Sequence, residues 1–257
     1  MSDPILQPVS ELIPPPGPGL SQIQRVIYTF TAPSKTFNDI KAGHRSWWMP
    51  FLITVVVGYM FFAAVYFKIG MNQAVENQIH LSPKQEQQLA DAPPDRRELS
   101  MKISLYVTEG IFLASPLLVL GGIALLSLGL WGTINFAFGG KATYGSIFAS
   151  WMYAALPGTI KVLLGIVVIF LTTTPESFNL KNYAPTNIAS FLNPLETNKA
   201  LYALLSALDV ITIWSLALLA IGAATVAGVK KGSGYIAVFG WWILFVLIGV
   251  GIAVATS

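Results

Sequence analysis

The sequence predicts an all-α fold: a polytopic membrane helix bundle with about five transmembrane helices. Three observations carry this. Of 257 residues, 54% are hydrophobic and 11% charged, against about 25% charged in an average soluble domain. The charges are also segregated, leaving long charge-free runs. Those runs exceed an ordinary buried helix in length, and none alternates apolar with polar residues as a barrel strand would. So much apolar surface needs lipid as its solvent, and a chain in lipid must satisfy its backbone internally.

Residues 1–19 contain Pro4, Pro8, Pro14, Pro15, Pro16 and Pro18, the composition of a disordered or polyproline II tail. They lack a basic start and an early apolar core, so no signal peptide is expected. Residues 20–46 form the next unit, expected as cytoplasmic or interfacial helices. Leu20, Ile23, Ile27 and Phe30 recur at helical spacing, with Ser21 and Gln24 in capping-box positions. This pattern fits a helix lying in the membrane interface or one packed on cytoplasmic loops.

The membrane domain is expected over 47–257. Its first span runs Trp47–Phe67 and stops at Lys68. The second charge-free run, Gly110–Gly140, is longer than the roughly 20 residues of one crossing. Its helix is placed at Gly110–Gly132, with the glycine-rich remainder as a turn. A third span, Ile147–Leu171, is interrupted by Lys161, and Pro157-Gly158 marks a kink one turn earlier. The fourth, Ala200–Ala227, contains Asp209, and the fifth, Gly234–Ala255, has no charge. Trp47, Trp48, Tyr66, Tyr235, Trp241 and Trp242 near the span ends are interfacial residue types.

Between the first two spans, residues 69–108 predict an extramembrane helical hairpin. Ser82-Pro83 reads as a cap followed by proline at the first helical position. Ala92-Pro93-Pro94 breaks the chain, and Asp95 to Glu98 restarts it as a capping box. The mixed charges read as a solvated face or as a surface for partner docking.

With five spans the termini lie on opposite sides. Lys141, Lys230 and Lys231 occupy short, purely basic connections on the amino-terminal side. Such connections outweigh a long loop of mixed sign, so the amino terminus is expected in the cytoplasm.

Lys161 and Asp209 are the most informative residues. A charge near the bilayer centre costs about 2.5–3.5 kcal/mol on insertion scales. Counting 1.5 Å per residue along two continuous helices places them within about 5 Å in depth. A structural ion pair is one reading; a polar pathway or lipid-headgroup site is another, and a contact with a partner subunit a third. Glu109, at the outer start of the second helix, lies within reach of a rising lysine chain. Small residues four apart, Ala220, Ala224 and Gly228, and again Gly249 and Ala253, allow close helix approach within the chain or between copies. Ala220, Ala224 and Gly228 with Trp214 form the candidate partner-facing set, the partner being lipid, another membrane protein or a second copy.

Catalytic signatures are absent: no HExxH, no Walker loop, no nucleophile elbow. Zero cysteines remove thiolate chemistry, and two separated histidines argue against a metal site. The net charge of +3 is too small and scattered for nucleic-acid binding. No cofactor is called for. The expected function is a non-catalytic scaffold or accessory subunit; the alternative is a small transporter, channel or lipid-translocating protein using Lys161 and Asp209.

The segment Phe30 to Ile40, with Pro33, Thr36 and Phe37, followed by Trp47, Trp48 and Pro50, resembles the opening of the Yip1 domain family. Tyr153 and Pro157 with the apolar run after them resemble its central span. Leu208 to Trp214 is similar to the aspartate-to-tryptophan stretch of many bacterial members. The resemblance covers the chain from about Phe30 onward. It implies about five spans and a cytoplasmic amino terminus. Eukaryotic members take part in membrane traffic, binding small GTPases or shaping membrane, while bacterial members, which the long charged first loop resembles more, are largely without assigned function; the resemblance thus implies the bacterial inner membrane and carries over no catalytic residues.

Overall fold

The computed structural model describes residues 18–255, so the proline-rich tail lies outside the described residues up to position 17. The amino-terminal unit is a helical hairpin, α1 (Gln22–Thr31) and α2 (Pro33–Lys41). The capping box on α1 forms as its sequence dictates: Gln24 N–H donates to the Ser21 hydroxyl, and Ser21 N–H donates to the Gln24 side chain. The helix turns its polar side inward. Arg25 and Thr29 are buried while Ile23 and Ile27 are exposed, the orientation of a helix whose outer face meets an apolar medium. Arg25 pairs with Asp39 of α2 at 2.7 Å, and the Thr29 and Thr36 hydroxyls both donate to the Arg25 carbonyl.

Helix α3 (Trp48–Ala64) continues through a π turn to Ile69 as the first span. Short helices α4 (Met71–His80) and α5 (Pro83–Ala90) follow. Ser82 precedes α5 without donating or accepting a side-chain cap. Helix α6 (Pro94–Gly132) starts after Pro93, so the Asp95–Glu98 capping box does not form: those residues are already helical. At 39 residues α6 is about 58 Å long, and a π turn carries it on to Ala137. The second helix thus begins 16 residues before the expected Gly110, because the charged run 95–109 is itself a good helix former. Glu98 and Lys102, one turn apart and 2.6 Å from each other, illustrate this.

The third span divides as Pro157-Gly158 requires. Helix α7 (Tyr144–Ala154) ends at Ala155, and α8 (Leu156–Leu171) takes Pro157 in its first turn, where a missing N–H costs nothing. A polar connection, 172–198, holds two 3₁₀ turns, Pro175–Ser177 and Ile188–Phe191. The fourth span is broken: α9 (Lys199–Ala207) stops, and α10 (Val210–Ala227) restarts at Asp209. Helix α11 (Lys231–Ala255) completes the bundle.

Two cores organise these elements. One gathers Phe37 and Ile40 of α2, Tyr153 of α7, Leu218 and Ala223 of α10, and Val238 of α11. Phe37 docks where α10 has Gly222; a Cβ there would lie 2.7 Å from the ring. The other core, around Phe61, Val65, Ile169 and Phe178, ties α3 to α8 and to the 172–198 connection.

Candidate functional site

The site is built where α10 begins. Asp209 is extended in backbone and caps α10 by accepting from Thr212 N–H at 2.9 Å, which satisfies an otherwise orphaned helix amide. Its other carboxylate oxygen accepts from Lys161 Nζ at 2.9 Å and from the Thr186 hydroxyl. Thr186 also accepts Val210 N–H on its carbonyl at 3.0 Å. Three separate stretches therefore converge on one carboxylate: the sixth residue of α8, the 172–198 connection and the α9–α10 break. Asp209 is 2% exposed and the Lys161 side chain 23%, so the anion is enclosed and the ammonium keeps one open side.

This corrects the depth deduced for Asp209. It is not nine residues into a continuous helix but sits at the head of a half-helix. Lys161 lies ten residues before the end of α8, about 15 Å, so the break is inside the bundle. Protein covers the carboxylate rather than the whole break, since Leu208 and Val210 on either side of Asp209 are exposed. The cover includes Tyr183, whose ring is tilted against Phe61 at 4.6 Å and lies 5.8 Å from Lys161 Nζ. It rests on Gly165, one turn beyond Lys161, where a Cβ would come within 2.9 Å of ring carbons. Burial, with the Asp209 carboxylate nearby, pushes the Tyr183 phenol above its usual range.

On the open side of Lys161 lies a cavity of about 200 Å³, lined by Trp151, Gly158, Thr212, Ser215 and Leu219 among others. Glu109 is elsewhere: it is half-buried on α6 and pairs with no basic side chain among the described residues. Trp214 packs edge-on against Phe30 at 5.8 Å and is 36% exposed.

Ala220 and Ala224 are packed inside the chain. Both are fully buried against α11, where a Cβ on Gly234 would overlap the Ala220 carbonyl and lie 2.9 Å from Ala224 Cβ. Gly228 is the left-handed C-cap of α10 (φ 70°), donating its N–H to Ala224 and Thr225 carbonyls. The small-residue face is thus used within the chain, and its signal was one of packing.

Thr186 is the residue that sequence reasoning missed. It sits in a polar connection with no motif, and only the capping chemistry of Asp209 hints that something must fill the carboxylate's other side. Likewise, aspartate three residues before Thr212 is the pattern of a helix start, a signal outweighed by the apolar run on both sides.

No curated protein and no solved structure matches the chain. The profile of the Yip1 domain matches residues 27–253, from the hairpin through α11, and with five helices among the described residues long and apolar enough to cross a membrane the protein is a multi-pass member of the Yip1 domain family.

Proposed function

We propose that the chain is a non-catalytic scaffold or accessory subunit of a larger membrane complex. The observation that carries this reading is the internal satisfaction of its two central charges. Lys161 and Asp209 are consumed by each other, by Thr186 and by the α10 cap, so they serve as a clasp for a broken helix. We place the amino terminus in the cytoplasm. Lys41, Lys141, Lys230 and Lys231 cluster at one end, where Lys141 N–H donates to Ala227 O and the Lys41 amine lies beside Gly228.

The test is native purification in mild detergent with mass spectrometry of co-purifying material. A stoichiometric membrane-protein partner supports the reading. Recovery without one, together with solute flux or lipid scrambling in liposomes, overturns it.

A second reading, transport, rests on the α9–α10 break and the cavity beside Lys161, since discontinuous helices house substrate sites in carriers. Joint replacement, Lys161→Met with Asp209→Leu, separates the two. A clasp replaced by apolar residues keeps complex assembly, whereas a transport path loses flux while the fold persists.

A further inference from the structure

Helix α6 uses only one of its faces. Leu105 and Phe112 pack on the α3 core, Phe112 stacking 5.0 Å from Phe62, while Ser127 and Leu130 are its two fully buried residues. On the opposite side Leu99, Ile103, Tyr106, Gly110, Leu113 and Leu117 succeed one another in steps of four and three. This is the heptad repeat of a coiled-coil seam. After Leu117 a four-residue step passes to Gly121 and then Leu128, a stutter that locally unwinds such a seam without ending it. The large members of the row are each between 51% and 73% exposed. A Cβ at Gly110 or Gly121 would meet nothing within 4 Å.

Lipid alone does not account for this face. Residues 94–109 carry Asp95, Arg96, Arg97, Glu98, Lys102 and Glu109, and a helix of 39 residues exceeds a hydrocarbon core of about 30 Å by nearly half its length. Leu99, Ile103 and Tyr106 therefore sit on the part that projects into water, where an exposed apolar row marks an interaction surface.

We propose that this face pairs with the same face of a second copy, forming a parallel α6–α6 dimer about a two-fold axis along the bilayer normal. Two observations select a second copy. The seam presents on the order of 800 Å² per chain, what a standard interface takes from each partner. The flanking charges also allow self-pairing. In a parallel heptad pair, Lys102 and Glu109 of one chain face Val107 and Ala114 of the other, so no like charges meet. Two copies inserted in the same sense can only be parallel here, and an isologous contact closes at two. The dimer goes beyond the scaffold reading and does not depend on it.

The absence of cysteine makes the test direct. Single substitutions Ile103→Cys, Tyr106→Cys and Leu113→Cys are oxidised in native membranes beside Ile111→Cys, which is exposed but about a third of a turn off the seam. The expected result is covalent homodimer at the three seam positions, several-fold above Ile111→Cys. Equal cross-linking at all four positions, none at any, or adducts solely with another protein would overturn the proposal. Native mass spectrometry of the unmodified chain gives an independent reading: a dimer that Leu99→Glu with Ile103→Glu converts to monomer supports it, and a monomer at the outset overturns it. Dimer without any other partner, together with flux or scrambling in liposomes, leaves the seam standing while removing the accessory-subunit reading, so the two failures are distinguishable.

Discussion

Breaking the clasp at Asp209 should cost more than breaking it at Lys161. In Lys161→Met, the carboxylate still holds Thr186 and the Thr212 amide, so the loss is that of one ion-pair arm. Polar contacts between membrane helices average about 0.6 kcal/mol and reach about 1.7. Leaving an anion 2% exposed without its counter-ion raises this to about 3 kcal/mol, at the low end of a broken buried pair because Thr186 and the Thr212 amide remain. Asp209→Leu loses the same arm and the N-cap, a further ~1 kcal/mol. It also strands the Lys161 ammonium and the Thr186 hydroxyl among apolar groups, for a total of about 3–5 kcal/mol. The double variant removes both charges together and should be less destabilised than the sum of the singles by about 1–2 kcal/mol. Asp209→Asn, which keeps the cap, should fall between the singles. The assay is reversible unfolding in mixed detergent micelles with SDS, followed by tryptophan fluorescence. Additivity of the two single substitutions within about 0.3 kcal/mol would refute the clasp.

Three further outcomes follow from the packing. Gly165→Val should expel the Tyr183 ring from α8 and expose the 172–198 connection to protease; Tyr183→Ala in the same chain should restore protection, which tests a steric origin. Gly234→Leu drives a side chain into the Ala220 backbone, with no flexible group to yield, and should lower stability by about 3 kcal/mol or more, read in the same SDS titration. Arg25→Met leaves Asp39 buried with His44 and Leu20 N–H as its remaining partners. The hairpin should then detach from α10 at a cost of about 3 kcal/mol, seen as faster amide exchange in α1 and α2 and unchanged exchange in α8.

The spans were legible because charge placement delimits them: Lys68, Lys141 and Lys231 bracket helices that the structure contains within a few residues. The second span instead runs back past Glu109 to Pro94. Residues 95–108 read as a helical arm leading into that span, and the structure fuses the two into one helix, with Glu98 and Lys102 paired on its water-facing side. The break at Leu208 was hidden. An aspartate between apolar runs was counted as a charge crossing the membrane, although aspartate is also among the best helix-starting residues. Proline gave a sharper signal only beside glycine: the third span divides at Pro157-Gly158, whereas Pro116 lies inside the unbroken α6. The inward-facing arginine of α1 was illegible, since its acidic partner lies across a turn, in α2.

The clasp also imposes an order on synthesis. Lys161 enters the bilayer with α8, and Asp209 follows about 50 residues later, a wait of roughly 3–10 s at ordinary elongation rates. During that interval the lysine lacks the carboxylate it pairs with in the finished chain, and its flexible stem favours holding the amine towards the headgroups. A nascent chain truncated before residue 209 therefore carries the Lys161 cation without the partner that the folded bundle gives it.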